Sequence, residues 1–575
     1  MNDQLYINES KEEFDVLIVG SGITGGWAAK EFSERGFKTL MVERGRVVKH
    51  QLDYAGESKK PWEQPFRQRV DKELIDGQYN VQSQCYAFND ATKHFFGNDK
   101  DLPYSTKDDS TFSWIRANQL GGKSILWHRQ SYRFSEFDFQ ANSKDGHGND
   151  WPIRYNDLKD YYSYVEKFVG ISGAREDLPQ LPDGEFQAPF EFTGPEKKLK
   201  ASVEKNHADT RLIIGRAAHI TEPTKLQISL GRVKCQARNE CQKGCSFGAY
   251  FSTQSSTLPA AAKTNKLHIA PNSVVHSLIY DENTNRVKGV RVIDNDDLSE
   301  REYFAKVVFM CASTVGTTQV LLNSTSKRFP NGLANSSGVL GHYLMDHNYN
   351  ASIGGDIPGF DDEYYQGRRP TGIYIPNFHY EPSRYSSKFV RGYAFAGRTL
   401  RENWGARATE DGIGVGFKNK LKQPGQWKIY LGVQGEMLPQ FENQMSLHSS
   451  KKDKWGIPQV SFDVHWSDNE QAMMQDAVKV GESMLTKFGA SNIWSQVTDN
   501  PPGLAIHEVG TARMGMDPKE SVLNSYNQTH DIPNLFVTDG SSFCSTAVQN
   551  PSLTFMALTV RAVDYAAKEI KAGRL

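Results

Sequence analysis

Phe14–Val19 (FDVLIV) is an apolar run that meets Gly20-Ser21-Gly22-Ile23-Thr24-Gly25 with no spacer, and WAAKEFSERG, a segment of helical periodicity, follows. An apolar run, glycines at the first, third and sixth positions and then a 3.6-residue pattern read as strand, tight turn and helix. The first glycine permits the turn, the second lets backbone approach a pyrophosphate, and the third lets the helix pack close to the strand. The helix N-terminus adds partial positive charge. The next strand, KTLMVE, ends in Glu43, 21 residues beyond Gly22. A carboxylate there accepts hydrogen bonds from ribose hydroxyls and repels a 2′-phosphate. We therefore expect an ADP moiety at Gly20, Gly22, Thr24, Gly25, Glu43 and Arg44, and NADP is disfavoured.

At 575 residues the chain exceeds one compact core, which calls for three or four units or two large interleaved lobes. The 67 Lys and Arg balance 68 Asp and Glu, so no net field holds a polyanion, and nucleic acid is not an expected partner. No apolar run approaches 18 residues, so no membrane span is expected. The first thirteen residues lack the basic start and apolar stretch of a secretory signal, which argues against self-directed export. Residues 44–110 read as irregular and loop-rich. Residues 268–311 read as short strands forming a small meander on the first lobe, and 346–466, with TGIYIPNFHY, WKIYLGVQGEM and QVSFDVHW, as a separate antiparallel sheet. From Pro551 an amphipathic helix runs to the C-terminus.

Several separated segments together resemble the glucose-methanol-choline (GMC) flavoprotein oxidoreductases. They are GSGITGG, the loop Arg116-Ala117-Asn118-Gln119-Leu120-Gly121-Gly122-Lys123-Ser124, and Cys311–Leu322 with Thr318 where a proline is usual. GVLGHYLMDH at 338–347, His507-Glu508-Val509-Gly510-Thr511 and Asn550-Pro551-Ser552-Leu553-Thr554 complete the set. The resemblance implies an α/β fold: an FAD-binding Rossmann-like domain with a second α+β substrate domain built on an antiparallel sheet. The expected FAD-binding parts are 1–130, 216–345 and 500–575, and the substrate-binding parts 131–215 and 346–499. It implies FAD and oxidation of an alcohol by hydride transfer to flavin N5. Gly121, Gly122, Ser124, Val275, Asp539, Asn550 and Ser552 join the residues of the first turn as its expected contacts. Asp539 also reads as part of a simple type I turn. Within the family the chain is similar to the large subunits of gluconate and glucose dehydrogenases and to glucoside 3-dehydrogenases. Where pyranose oxidase carries a histidine bonded to the flavin, this chain has Leu126, so the FAD is expected to be non-covalent; His128 is a weak substitute.

Taking hydride from an alcohol carbon requires the hydroxyl proton to leave as well, and a neutral histidine suits that work. His507 is the expected base, and Asn550 is expected to donate its amide to the substrate oxygen and orient the C–H. The plainer readings are a histidine bonded inside a turn and an Asn N-cap before Pro551.

Cys235, Cys241 and Cys245 crowd into eleven residues, close enough to share one ion or cluster. Three thiols without a histidine in that run favour iron–sulfur over zinc, and the run resembles the stretch that holds a 3Fe-4S cluster in an FAD-dependent glucose dehydrogenase. One disulfide with a free thiol, or three buried thiols, are the alternatives.

The wall facing the flavin is expected from 346–499, whose content (Tyr364, Tyr365, Tyr374, Trp427, Gln434, Asn443 and Glu436) suits a sugar, although aromatic residues in strands are more often core than binding platform, so none of these is assigned as a site residue. The expected function is oxidation of a secondary alcohol of a sugar, glycoside (C-3 of a glucoside favoured) or sugar acid. A small subunit and a cytochrome-type acceptor are expected, with a periplasmic location by co-export; a cytoplasmic one is the alternative. An oxygen-using oxidase of the same fold and a catalytically silent FAD- or carbohydrate-binding subunit are the competing functions.

Overall fold

The computed structural model describes residues 5–9, 12–59, 63–107, 109–208, 210–360, 369–380, 385–402 and 411–575. Its first strand, Phe14–Val19, lies inside a parallel sheet. Thr39–Val42 flanks it on one side, with Leu267–Ala270 beyond. On the other side lies the second half of Glu300–Met310, followed by Leu535–Val537. Strands covered on both faces read as unbroken apolar runs instead of alternations. Val16 and Ile18 pack with Phe309, with Ala28 and Phe32 of the helix Ile23–Glu34, and with Ala562 and Ala566 of the C-terminal helix Ser552–Lys571. Leu17 and Val19 join the larger core on the opposite face.

The meander is Ser273–Asp281, Arg286–Asp294 and Glu300–Phe304, all antiparallel. Because Glu300–Met310 then continues as the parallel neighbour of Phe14–Val19, meander and parallel sheet form one seven-stranded unit. Between Glu43 and Tyr104 the described residues form turns and short helices.

A second sheet has the order Ser491–Val497, Ala351–Ile357, Trp427–Gly435, Tyr393–Arg401, Ile373–Ile375 and Ile213–Ile214, antiparallel throughout. The helix Asp468–Phe488 covers one face with Met473, Met474, Ala477 and Leu485. The other face meets the first lobe, where Tyr374 stacks on Tyr132 with ring centroids 4.2 Å apart. QVSFDVHW does not belong to this sheet. Pro458–Asp463 pairs with Gln444–Lys452 and with Ser105–Thr106, a three-stranded ladder that ties the second half of the chain to the loop region of the first. The pairing with Ser105–Thr106 spans more than 350 residues, so no local pattern announces it. Among the described residues no helix is long and apolar enough to cross a membrane.

Candidate active site

One cavity of about 700 Å³ lies between the two sheets, and most residues named from the sequence line it. Gly20, Gly22, Thr24, Glu43, Arg44, Gly122, Ser124, Val275, His507, Asp539, Asn550 and Ser552 all do. Gly25 and Gly121 do not. A Cβ on Gly25 would stand 1.9 Å from the Gly20 carbonyl oxygen, so Gly25 closes the helix onto the turn. A Cβ on Gly121, where φ is +88°, would meet the Gln254 amide. By contrast a Cβ on Gly22 meets nothing within 4 Å, since it points into the cavity.

Glu43 is buried, and burial pushes its carboxyl up from the usual range. It accepts from the Ser21 amide (3.1 Å), from the Ser21 hydroxyl and from the Gly45 amide (2.8 Å). A carboxylate has about four lone-pair sites, so one on Oε1 remains for a ligand hydroxyl. Arg44 holds its guanidinium 5.4 Å over the Trp455 ring. Asp539 accepts from the Ser541 amide and hydroxyl and from Thr317, so its carboxylate also organises the turn that carries it. Three helices, Ile23–Glu34, Thr314–Asn323 and Ser552–Lys571, begin at the cavity wall, and their N-termini favour negative charge there.

At the far end His507 Nε2 lies 3.3 Å from Asn550 Nδ2. Asn550 is not the N-cap of the last helix. Pro551 occupies that position without a side-chain cap, and the Asn550 amide is turned to His507 while its Oδ1 is buried without a partner. The other face of His507 supplies what the sequence reading missed. His507 Nδ1 is 3.0 Å from His347 Nδ1, and His347 Nε2 is 2.8 Å from the Ala547 carbonyl oxygen. A carbonyl only accepts, so His347 donates through Nε2–H and its Nδ1 is a lone pair. His507 must then donate through Nδ1–H, which leaves Nε2 as a lone pair facing Asn550 and the cavity. Burial, then the neighbouring His347 and Lys123, hold His507 well below the ordinary histidine value, and burial takes His347 down to about 4.

The loop carrying His507 is pinned by Asp346. Its buried carboxylate accepts from the amides of Gly503 (2.7 Å), Ala505 (3.1 Å) and His507 (3.0 Å), and burial pushes it up to about 7. Ile506 has φ +64° and Ala547 +52°, left-handed backbone flanking the histidine pair. A β-branched residue in that region is strained, and the Asp346 clamp holds it. Asp346 and His347 close the GVLGHYLMDH segment, so a signal was present, but their contacts reach across about 160 residues.

Two family models described as GMC oxidoreductase match residues 14–349 and 439–559. The chain is a GMC oxidoreductase. It is 28% identical to the 2-methyl-1,2-propanediol dehydrogenase of Mycolicibacterium austroafricanum, over 97% of this chain and 95% of that one. It is 25% identical to the fructose dehydrogenase large subunit of Gluconobacter japonicus, over 97% and 98%. The fold is shared with the formate oxidase of Aspergillus oryzae RIB40, at TM-score 0.61 and 14% identity, over 98% of this chain and all of that one.

FAD is the cofactor of this GMC oxidoreductase, and the cavity fits it. Gly22 would offer open backbone to the pyrophosphate and Glu43 its remaining lone pair to the ribose, and the His507–Asn550 pair lines the same cavity. Leu126 lines the cavity with an unreactive side chain, and His128 lines it as well.

The expected sugar-facing residues are placed elsewhere. Trp427 packs in the core beneath the second sheet, Glu436 pairs with Arg391 at 2.6 Å, and Asn443 bonds the backbone of His465. Tyr374 and Gln434 are buried where the lobes meet and do not line the cavity, while Tyr364 and Tyr365 lie outside the described residues. Strand alternation turns Trp427 to the helix-covered face, whereas Tyr374 and Gln434 share the face of Ala396 and Gly432 but sit deeper in the seam between the lobes. The second sheet contributes Ala396, Tyr430 and Gly432 to the wall instead, and Tyr349 faces His507 with ring centroids 6.0 Å apart.

Cys235, Cys241 and Cys245 are unbridged. They border one crevice of about 20 Å³ together with His219, whose Nε2 is 3.6 Å from Cys241 Sγ. Their sulfurs are not all within 4.8 Å of one another, so they do not converge on a single ion. Among the described residues that spacing is met by Asp109, Asp463 and His465. Burial pushes the Cys235 thiol up to about 11 and raises Cys241.

Proposed function

We propose that this GMC oxidoreductase oxidises a secondary alcohol of a sugar, a glycoside (C-3 of a glucoside favoured) or a sugar acid, and passes the electrons to an external acceptor. The observation that carries the reading is the fixed tautomer of His507, a lone pair on Nε2 held 3.3 Å from the Asn550 amide inside the cavity. Two groups at that separation both reach one hydroxyl oxygen. Asn550 donates to it and holds the alcohol so that its C–H faces the flavin end of the cavity. His507 Nε2 takes the hydroxyl proton as the carbon gives up hydride, leaving a ketone. Bound FAD supplies the acceptor for that hydride at N5. Because the His507 pKa is depressed, the imidazolium returns its proton readily to water. The sugar class draws support from the fructose dehydrogenase large subunit.

An anaerobic absorbance screen of sugars, glycosides and aldonic acids tests the reading, since the right substrate bleaches the flavin. His507→Ala is expected to stay yellow and to lose about 10²–10⁴-fold in reduction rate, as removal of a general base does. Undiminished reduction at neutral pH removes His507 from the role, and rapid peroxide formation in air without a dye favours an oxidase. With Leu126 at the covalent position, acid precipitation is expected to release the flavin.

We further propose that Cys235, Cys241 and Cys245 hold an iron–sulfur cluster, which would supply one-electron transfer towards a cytochrome-type acceptor. The shared crevice and the thiol donor set support this reading, and the small volume of the crevice means the loop must widen to admit a cluster. Anaerobic protein is expected to contain iron and acid-labile sulfide, lost in Cys241→Ser while flavin reduction persists; iron-free protein ends the proposal. A small subunit and periplasmic co-export belong to the same reading, and recovery of a lone chain from the cytoplasm refutes both.

A further inference from the structure

The register of the second sheet puts Trp494, Gly354, Tyr430 and Arg398 in one row across four strands. Side chains alternate along a strand, so Gly432 and Ala396, two residues on, share the face of Tyr430 and Arg398. Tyr430, Gly432 and Ala396 line the catalytic cavity. One sheet face therefore leads from the cavity to solvent. At its outer end Trp494 is 43% exposed and Tyr430 44%, with ring centroids 6.3 Å apart.

Glycines shape this surface. A Cβ on Gly354 would lie 2.4 Å from Cζ2 of Trp494, so the indole rests on the bare backbone of the neighbouring strand. A Cβ on Gly432 would lie 3.4 Å from Cε1 of Tyr430. The next row inward is Ser352, Gly432 and Ala396, small residues of which Gly432 and Ala396 line the same cavity as His507. The flank is polar, with Gln496 donating to Ser352 at 3.1 Å. Aromatic faces with hydroxyl and amide groups beside them match a pyranose ring, whose C–H face stacks while its hydroxyls hydrogen-bond. An aliphatic partner surface would find polar groups opposite it.

We propose that this face is a second saccharide subsite, continuous with the cavity, and that the preferred substrate carries at least two rings. One ring is oxidised at His507 and the next lies on Tyr430 and Trp494. The proposal rests on the carbohydrate reading above, and the experiment separates the two. Anaerobic flavin reduction is measured with methyl β-glucoside and with cellobiose in the parent protein and in Trp494→Ala. The two-ring substrate is expected to be preferred by the parent and to lose roughly tenfold in kcat/KM in Trp494→Ala, with the one-ring substrate unchanged. Equal losses on both, or none, overturn the subsite. If neither sugar reduces the flavin the carbohydrate reading fails, and the subsite is then judged by fluorescence titration with cellotriose. Quenching present in the parent and absent in Trp494→Phe sustains it, and no quenching overturns it. A changed oligomeric state in Trp494→Ala with two-ring kinetics intact makes the face an interface between copies and overturns it as well.

Discussion

A histidine becomes a base on one nitrogen only if something decides which nitrogen keeps its proton, and here the Ala547 carbonyl decides it through His347. His347→Leu removes the acceptor for the His507 Nδ1–H while leaving apolar bulk in place. The imidazole is then free to carry its proton on Nε2, the nitrogen that must be bare. We expect a yellow protein whose anaerobic reduction rate falls at least about tenfold at pH 7, a fraction of the whole contribution of a general base. The pH profile carries a second signature. His507 lies well below the ordinary histidine value, so the parent rate is flat through neutrality and declines only as acid protonates Nε2. His347 is among the groups that depress it, so in the variant the His507 pKa rises and the acid limb moves to higher pH. A profile identical to the parent's would show that His347 neither fixes nor tunes the base.

At the level of elements, the opening turn separates two glycine roles that a motif merges. Gly25→Ala drives a methyl to 1.9 Å from the Gly20 carbonyl, so turn and helix must part, and loss of soluble protein or a large fall in Tm is expected. Gly22→Ala places its methyl in the open cavity, so the fold is expected to survive while flavin affinity falls; equal Tm losses in both variants would undo the distinction. This strand–turn–helix was legible in the sequence because the residues that mark it, from Phe14 to Glu43, lie within about thirty residues, although the strand also pairs with Glu300–Met310. The remainder was not. The Pro458–Asp463 ladder closes on Ser105–Thr106 from the other end of the chain, so QVSFDVHW carried a strand pattern but no partner. Asn550 before Pro551 looks locally like a cap, and only the arrival of His507 turns its amide elsewhere. His347 sat in a recognised segment, yet its work depends on contacts with 507 and 547 that spacing does not encode.

For the whole molecule, the cavity is the joint between lobes, walled by the glycine turn and the last helix from one side and by Ala396, Tyr430 and Gly432 from the other. A ligand that fills about 700 Å³ there touches segments from residue 19 to residue 555, so its binding energy is distributed over the assembly of both lobes. Free FAD at a hundredfold excess over its Kd stabilises the folded chain by about 3 kcal/mol, which at this length corresponds to a few degrees in Tm. Stripping the flavin is therefore expected to lower Tm by at least that amount and to expose the wall loops near 504–507 to protease. Stepwise return of FAD should raise Tm with the logarithm of its concentration, and ADP, which fills only the Glu43 end, should restore part of the shift. A stripped protein that melts with the holoenzyme, or full recovery with ADP alone, would mean that the His507 end of the cavity contributes nothing to holding the lobes together.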